Sequence, residues 1–423
     1  MQTKAGMKGF HHLFVSLQRL KLKSMHRLFQ YLTSPRAFLW LLFFLLTGGE
    51  VLAQTYRYDT GFTLSKQHFC DTIPLDMVDG RPLLTVTMNG RKHKVLLDTG
   101  SSQGVVFSEK LPSGLSELGS VVARDGNLRK DTVRVVQLPR FSMGSISIDG
   151  YVATVHRRLV ASKMYDFIVG FDIFNKGISA KIDARNRRLI ITDNKQRFAN
   201  EAGYKLKYKL KWFVPYLIVS PFIRHADECS FDTGFMGLYS MNKDHFDKHA
   251  YKSKNVGSQV EAVVEGQGYI SAFGVEQHTE VAFMHLNRLQ FDRFEFRNVK
   301  ARTSYGPSKL GSELLNYGTF LILPHQKRIV FQPYNGGEYV EVNNKLKQMA
   351  FVPSGDRAMV GLVNPQSEAY KKGFRQGDIV LEIDHRPVGS FQAFVNYPFV
   401  DGQVYVFTLQ TADGQRKEIR SVR

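Results

Sequence analysis

Hydrophobic and polar positions alternate in short runs along most of the chain. From residue 54 to about 340, brief apolar runs are separated by Gly, Asn and Asp, and no helical repeat continues for more than a few turns. Short apolar runs bounded by turn residues are typical of β-strands. The pattern therefore predicts an all-β fold for this region.

A longer apolar block lies near the amino terminus. Ala37–Leu46 follows a basic stretch that ends at Arg36, and small residues precede a cleavage point after Ala53. This arrangement is typical of a secretory signal peptide, so we expect one over residues 1–53 and export to the bacterial periplasm or the cell exterior. The block is too short for an uncleaved membrane anchor, so we expect no stable membrane span once the signal peptide is cleaved.

The β-rich region contains a weak internal duplication. A Pro precedes an Asp by 16 residues in the first half and by 17 in the second. A predicted hairpin follows in each half, over Val121–Val136 in the first and Val260–Gly274 in the second. A matching Gly-containing segment comes next, over 168–177 and 309–318 respectively. A repeat of this size indicates two lobes of similar plan. We expect them over 54–208 and 209–340.

Two Asp-Thr-Gly triplets occupy equivalent positions in the two halves. They are 98–100, in the sequence VLLDTGSS, and 232–234, in SFDTGFMG. Two carboxyl groups at hydrogen-bonding distance do not both ionise easily, so such a pair shares one proton. The ionised member can act as a general base on water while the protonated member polarises an amide carbonyl. The pair therefore predicts general acid–base catalysis of the attack of water on an amide carbonyl.

These triplets, with the segments ending at Gly170 and Gly311, resemble those of the pepsin-like and retropepsin-like aspartic endopeptidases. The resemblance covers about 54–340. It implies a bilobal β-barrel protease that binds polypeptide in a cleft and needs no cofactor or metal. The implied roles are Asp98 and Asp232 as the catalytic dyad, Thr99 and Thr233 as braces between the turns, Gly100 and Gly234 as points of close approach, and Ser101 as a donor to the outer oxygen of Asp98.

The resemblance also implies a flap that covers the substrate. The candidate is the hairpin Val121–Val136, whose tip carries Arg124, Asp125 and Gly126. A turn rich in Gly, Asp and Asn suits such a tip.

One position departs from the pattern of the aspartic endopeptidases. Phe235 follows the second triplet, where many members have Ser or Thr, so no hydroxyl there can donate to Asp232. This leaves open a non-catalytic peptide-binding scaffold, or a processing enzyme with a single partner substrate. The run 100–104 also satisfies Gly-x-Ser-x-Gly, but the nucleophile elbow of serine hydrolases needs alternating strands and helices, which the all-β pattern excludes.

The pattern changes over 341–423. A strand ends at Asn364-Pro365, a short helix over Ser367–Lys372 ends at Gly373, and strands follow over Ile379–Ile383 and Val404–Gln410. This order resembles the PDZ domain of bacterial proteases. The resemblance implies that a peptide or a C-terminal segment adds to an edge strand, with Met349, Ala350, Phe351 and Val352 beside a helix near Phe391–Tyr397. A domain that only packs against the protease lobes is the alternative.

Charge and cysteine content narrow the remaining classes. The net charge is +19, but there is no nucleic-acid-binding motif, so we expect no nucleic acid partner. No HExxH, P-loop or Cys/His cluster indicates a metal or nucleotide. In an oxidising compartment Cys70 and Cys229 could pair, but two free thiols remain an equal alternative.

Overall fold

The computed structural model describes residues 61–158, 164–250, 254–344 and 346–422. The expected signal peptide lies outside these residues. The described part is built almost entirely of strands, which confirms the predicted all-β class. Within it, no helix has the length and apolar character needed to cross a membrane.

The first lobe begins with a strand at Thr63 and contains the first Asp-Thr-Gly turn. A helix over Asp172–Asn175 and a 3-10 turn over Ser108–Lys110 accompany its strands. The strands are β1 Thr63–Leu64, β2 Cys70–Val78, β3 Arg81–Met88, β4 Arg91–Leu97, β5 Gly104–Phe107, β6 Ser116–Arg124, β7 Lys130–Gln137, β8 Phe141–Met143, β9 Ile146–Asp149, β10 Val152–His156, β11 Phe167–Val169, β12 Ser179–Asp183, β13 Arg188–Thr192 and β14 Tyr204–Lys207.

The second lobe repeats this plan with longer central strands. Short helical segments lie over Lys243–His245, Phe246–Ala250, Lys254–Gly257, Ser312–Asn316 and Pro324–Gln326. The strands are β15 Lys209–Lys211, β16 Val214–Phe222, β17 His225–Asp232, β18 Tyr239–Asn242, β19 Val260–Gly266, β20 Ile270–Ser271, β21 Gly274–Val275, β22 Thr279–Phe291, β23 Phe294–Ser304, β24 Lys309–Gly311, β25 Gly318–Leu323, β26 Arg328–Pro333 and β27 Tyr339–Glu341.

The strand pairings repeat the duplication seen in the sequence. In the first lobe, β11 lies parallel to β4 and antiparallel to β5, and β10 lies parallel to β5. In the second lobe, β24 lies parallel to β17 and antiparallel to β18, and β23 lies parallel to β18. In each lobe, the Asp therefore lies at the end of a strand that pairs on one side with the Gly-containing segment.

A shared sheet joins the two lobes. Its strands run in the order β14, β26, β25, β12, β13, β2. The second-lobe strands β25 and β26 therefore lie between β14 and β12 of the first lobe. At the junction between the halves, β12 pairs antiparallel with β25, with Ala180 opposite Ile322 and Ile182 opposite Phe320. A single apolar cluster of buried Phe, Leu, Ile and Val side chains extends through both lobes. Burial of this surface is the main force that holds the lobes against each other.

The second-lobe hairpin differs from the predicted one. β19 pairs with β22 rather than with the residues directly after it, and Gly266 lies opposite Thr279. Residues 267–278 leave this ladder and form the small hairpin β20–β21. The chain leaves the ladder where the Gln267 amide donates a hydrogen bond to the Gly361 carbonyl, outside the lobe.

A separate sheet forms the carboxyl-terminal part of the chain. Its strands are β28 Met349–Ser354, β29 Arg357–Val363, β30 Ile379–Ile383, β31 Arg386–Pro387, β32 Val404–Gln410 and β33 Arg416–Val422, with helices over Glu368–Lys371 and Phe391–Val395. The predicted strands at 379–383 and 404–410 are present with those bounds, and the short helix is capped by Ser367. This sheet has its own apolar cluster. β28 lies at its edge.

A small apolar contact links this sheet to the second lobe. Leu362 of β29 is fully buried against Val281 and Phe283 of β22. Ile270, in the excursion from the second-lobe hairpin, packs against the cluster of the carboxyl-terminal sheet. The carboxyl-terminal sheet is therefore in direct contact with the second lobe and with its excursion over 267–278.

Candidate active site

The two Asp-Thr-Gly turns meet where the lobes join. Asp98 follows β4 directly, and its amide donates a hydrogen bond to the Val169 carbonyl of β11 at 3.0 Å. Asp232 is the last residue of β17 and lies opposite Gly311 of β24. The parallel partner strand therefore fixes each Asp in the same way in both lobes.

Hydrogen bonds between the two threonines join the turns symmetrically. The Thr99 hydroxyl donates to the Phe231 carbonyl, and the Thr233 hydroxyl donates to the Leu97 carbonyl, each at 2.6 Å. Each hydroxyl also accepts from the amide of the other threonine at 3.0 Å. Both side chains are fully buried. The threonines fix the turns relative to each other and leave none of these polar groups without a partner.

The glycines allow the two carboxyl groups to approach. A β-carbon at Gly100 would overlap the Asp232 carboxyl group, and one at Gly234 would overlap the Asp98 carboxyl group. The same two amides donate to the carboxylate of their own turn, Gly100 to Asp98 at 2.9 Å and Gly234 to Asp232 at 3.0 Å. Each carboxyl group thus lies against the opposite turn, and only glycine leaves the space for it.

The environment of the pair favours retention of a proton. Burial, followed by the charge of Asp232, raises the pKa of Asp98 to about 7, and hydrogen bonding between the two side chains acts in the same direction. The amides of Gly100 and Ser101 oppose this rise but do not cancel it. Two adjacent, half-buried carboxyl groups thus hold one proton well above the pH at which a solvated Asp loses it.

The Ser101 hydroxyl does not contact the Asp98 carboxylate as expected. It donates instead to the Gln103 carbonyl at 2.8 Å. The Ser101 carbonyl accepts from the Phe171 amide at 2.8 Å. Because the chain turns back sharply after Gly100, the nearer backbone carbonyl takes the hydroxyl proton. Ser101 supports the turn and donates to Asp98 through its amide alone.

Phe235 has no side-chain hydroxyl, but its backbone contacts the Asp232 carboxylate. Its amide donates to the Asp232 carboxylate at 3.1 Å. Its ring lies edge-on to Tyr269, with ring centroids 5.9 Å apart. The second turn therefore has two amide donors to Asp232, and the ring forms part of the wall beside it.

The tip of the first-lobe hairpin contacts the second lobe. The Gly126 amide donates to the Ser271 hydroxyl at 3.0 Å, and the Asp125 carboxylate accepts from the Phe273 amide at 2.9 Å. Asn127, which is buried, donates to the carbonyl of Gly274. All three predicted flap residues are in this region, although Arg124 lies over the Trp212 ring at 5.3 Å rather than over the Asp pair.

A groove lies beside this hairpin tip. Its volume is about 570 Å³, and its lining combines apolar side chains such as Leu128 and Trp212 with polar and charged ones, among them Asn242, His245 and Glu228. Tyr216 also lines the groove and lies opposite Ser230, two residues before Asp232. Burial raises the pKa of Tyr216 to about 12. The groove has the size of pockets that take part of a peptide or a small ligand.

Both cysteines are free thiols, which answers the question of their pairing. Cys70 is exposed and Cys229 is buried. The Cys229 thiol donates to the Asp227 carboxylate at 3.3 Å, and burial raises its pKa well above the ordinary value. Neither thiol belongs to the candidate site.

Two acidic residues behind the turns were missed by the sequence reasoning. Asp172 and Glu313 each follow the Gly of their segment by two positions, and burial raises the pKa of each to about 7. Asp172 accepts from the Tyr151 hydroxyl at 2.8 Å, and that hydroxyl accepts from the Gly170 amide at 3.1 Å. The alignment of 168–177 with 309–318 contains this acidic pair, so the duplication carried the signal.

These raised pKa values predict that the protein loses stability as pH rises. A raised folded-state pKa stabilises the fold fully below the unfolded value of 3.8, and that stability disappears as pH rises toward about 7. Asp172 alone should lower the free energy of unfolding by about 1.4 kcal/mol per pH unit in this window. Asp172→Asn keeps the acceptor for Tyr151 without ionising, so we expect it to be more stable than the parent at pH 8 and similar at pH 4. Urea titrations at both pH values measure this, and an equal decline in both proteins would contradict it.

The predicted peptide-binding residues of the carboxyl-terminal sheet share one strand. Met349–Val352 forms the first part of β28, beside the helix Phe391–Val395. The rings of Phe351 and Phe394 are 4.5 Å apart. Ala350 packs instead toward Leu362 and the second lobe. The four residues are adjacent to one another but not to the Asp pair.

Over the described residues, no group of three or more His, Cys, Asp or Glu side chains is arranged to hold a metal ion.

Compared with known protein families and with curated proteins, the chain has no match. Among solved structures it is similar to the crystal structure of an aspartic proteinase from Irpex lacteus. The identity is 13%, the TM-score is 0.42, and the match covers 62% of this chain and 97% of that chain. A similarity at this level adds no argument about chemistry, which rests on the geometry of the two turns.

Proposed function

We propose that this chain is an aspartic-type endopeptidase in which Asp98 and Asp232 activate a water molecule against a peptide bond. One observation carries the proposal: two half-buried carboxyl groups, each held by amides of its own turn, lie against the glycine of the opposite turn. The charge of Asp232 contributes to the raised pKa of Asp98, and carboxyl groups perturbed in this way are concentrated at catalytic sites.

The geometry supports a division of labour between the two carboxyl groups. The ionised member takes a proton from water as the water attacks the amide carbonyl. The protonated member donates to the carbonyl oxygen, where negative charge develops, and a proton is then passed to the leaving nitrogen. The threonine bonds hold both groups in place, so little reorganisation is needed during the reaction.

The test is cleavage of a mixed peptide library by the full chain between pH 4 and pH 9. We expect peptide-bond hydrolysis in the acid-to-neutral range, with kcat/KM falling by about tenfold per pH unit above the pKa of about 7. The pair loses its shared proton there and can no longer donate to the carbonyl. Mass spectrometry of the products identifies the bonds cut. Hydrolysis that increases steadily to pH 9 would contradict a mechanism that needs the protonated pair.

A non-catalytic scaffold is the second candidate, and Phe235 is the observation that favours it. The phenylalanine ring removes a hydroxyl donor from the second turn, although the amide contact to Asp232 remains. A scaffold would bind peptides from the same library without cutting them at any pH.

We further propose that the carboxyl-terminal sheet binds peptide along Met349–Val352. Support comes from the edge position of β28 and from the apolar helix beside it. Main-chain hydrogen bonds to an edge strand give affinity, and adjacent pockets give selectivity. Peptides retained by the chain but lost in Phe351→Asp would identify this site, whereas equal retention would leave only the packing of Leu362 as the role of this sheet.

A further inference from the structure

The two lobes present different side chains at equivalent places beside the two Asp-Thr-Gly turns. Ile168 of β11 and Lys309 of β24 each pair with the residue two positions before the Asp of their own lobe, which is Leu96 and Ser230 respectively. The duplication therefore puts an apolar side chain on one side and an amine on the other.

The Lys309 amine lies between the second turn and the hairpin tip. Its nitrogen is 5.7 Å from the centroid of the Phe235 ring. A β-carbon at Gly126, on the tip, would be 2.8 Å from the same nitrogen. Over the described residues, no carboxylate forms an ion pair with Lys309 within 4.0 Å. A half-buried cation in this position lacks an anionic partner, which costs free energy.

A second cation lies on the neighbouring strand. Ser240 of β18 pairs with Lys309 on one side and with Arg302 on the other. Arg302 is 5% exposed, and its guanidinium lies 4.0 Å from the Tyr269 ring centroid. Its Nε and Nη1 atoms have no hydrogen-bond partner among the described residues.

Arg302 shares a neighbour with a buried carboxylate, because its Nη2 atom donates to the Gly268 carbonyl at 3.1 Å. The buried carboxylate of Glu276 accepts from the amides of Gly268, Tyr269 and Tyr305 at 2.6 to 3.2 Å. Among the described residues, this carboxylate forms no ion pair within 4.0 Å with Lys309 or Arg302. In the first lobe the residues equivalent to Ser240 and Arg302 by strand register are Val105 and Thr154, which carry no charge.

We propose that Lys309, with Arg302 behind it, makes the second-lobe side of the cleft a subsite for an acidic side chain of the substrate. The first-lobe side around Ile168 takes an apolar side chain. This inference rests on the proposed function and names its substrate class. A carboxylate under the hairpin tip forms a charge-assisted hydrogen bond with this half-buried amine, and such bonds are stronger where water is partly excluded than at an open surface.

The experiment is a substitution scan around one cleaved peptide bond. Each position within three residues of the bond is made Glu, Gln, Leu or Lys in turn, and kcat/KM is measured for the full chain. We expect Glu to exceed Gln by about tenfold at one position. Lys309→Ile should abolish this preference and favour Leu, and Lys309→Glu should favour Lys. Lys300→Met removes one positive charge from an exposed position of the same lobe, and this control should keep the parental ratio of Glu to Gln cleavage.

The ratio distinguishes a specificity role from a structural one. If Lys309 only supported the hairpin tip, its replacement would lower the rates for Glu and Gln peptides equally, which would overturn the inference. Cleavage without any preference for Glu in the parent would also overturn it and would leave the proposed function intact. If the parent cuts nothing, the same peptides are tested for binding by fluorescence polarisation. If binding is then selective for Glu and Lys309→Ile abolishes that selectivity, the acidic subsite is supported without the endopeptidase function. If binding is unselective, both the subsite and the endopeptidase function are overturned.

Discussion

Asp98→Asn and Asp232→Asn should each lower kcat/KM for peptide cleavage by about 10³-fold or more. An asparagine fits the same space and accepts the same amide hydrogen bonds, but it can neither take a proton from water nor share one with its neighbour. The double variant should be scarcely less active than either single variant, because the two groups act as a unit. Hydrolysis of a fluorogenic peptide taken from the library cleavage provides the measurement.

The matched control for these variants is Asp149→Asn. Asp149 is exposed at the end of β9, so the same chemical change there removes one charge far from the turns. It should retain parental activity, and unfolding transitions should show all the variants folded. Equal cleavage by the parent and both active-site variants would assign the activity to another site or to a contaminant. Binding of peptide by a parent that never cleaves would favour the scaffold.

Thr99→Val should have the second largest effect, on stability as well as on activity. Valine has nearly the shape of threonine but leaves the Phe231 carbonyl and the Thr233 amide without their partner in a fully buried position. Two unsatisfied buried groups cost about 2 to 6 kcal/mol in the free energy of unfolding. Activity should also decrease, because the turns are no longer fixed against each other. Guanidinium unfolding at pH 5 measures the first effect, and the peptide assay measures the second.

Two further variants make this result specific to the hydroxyl. Thr99→Ser keeps the donor and the acceptor and should recover most of the stability. Thr72→Val makes the same change at an exposed position of β2 and should cost little. A Thr99→Val protein as stable as the parent would show that the hydrogen bonds between the turns contribute nothing to holding the lobes together.

Local sequence pattern and the internal duplication were sufficient to predict the strands and the pair of turns. Short apolar runs bounded by Gly, Asn and Asp can form few structures other than strands, so the all-β class and strands such as Ile379–Ile383 were predictable from local pattern. The duplication identified Asp98 and Asp232 as equivalent residues, because a repeated strand-and-turn unit places equivalent residues symmetrically. Composition and spacing were enough for these conclusions, since they depend on contacts that are close in the chain or repeated in it.

The contacts of individual side chains depend on how distant parts of the chain pack together. The Ser101 hydroxyl donates to the Gln103 carbonyl rather than to the Asp98 carboxylate. The strand β19 leaves its ladder with β22 after Gly266, because the Gln267 amide donates to the Gly361 carbonyl of a separate sheet. The raised pKa of Asp172 depends on burial, which no local pattern specifies. The approach of Lys309 to the tip at Gly126 joins residues from different lobes. Burial, charge balance and hydrogen-bond competition are properties of groups distant in the chain, so they become definite only when the lobes have packed.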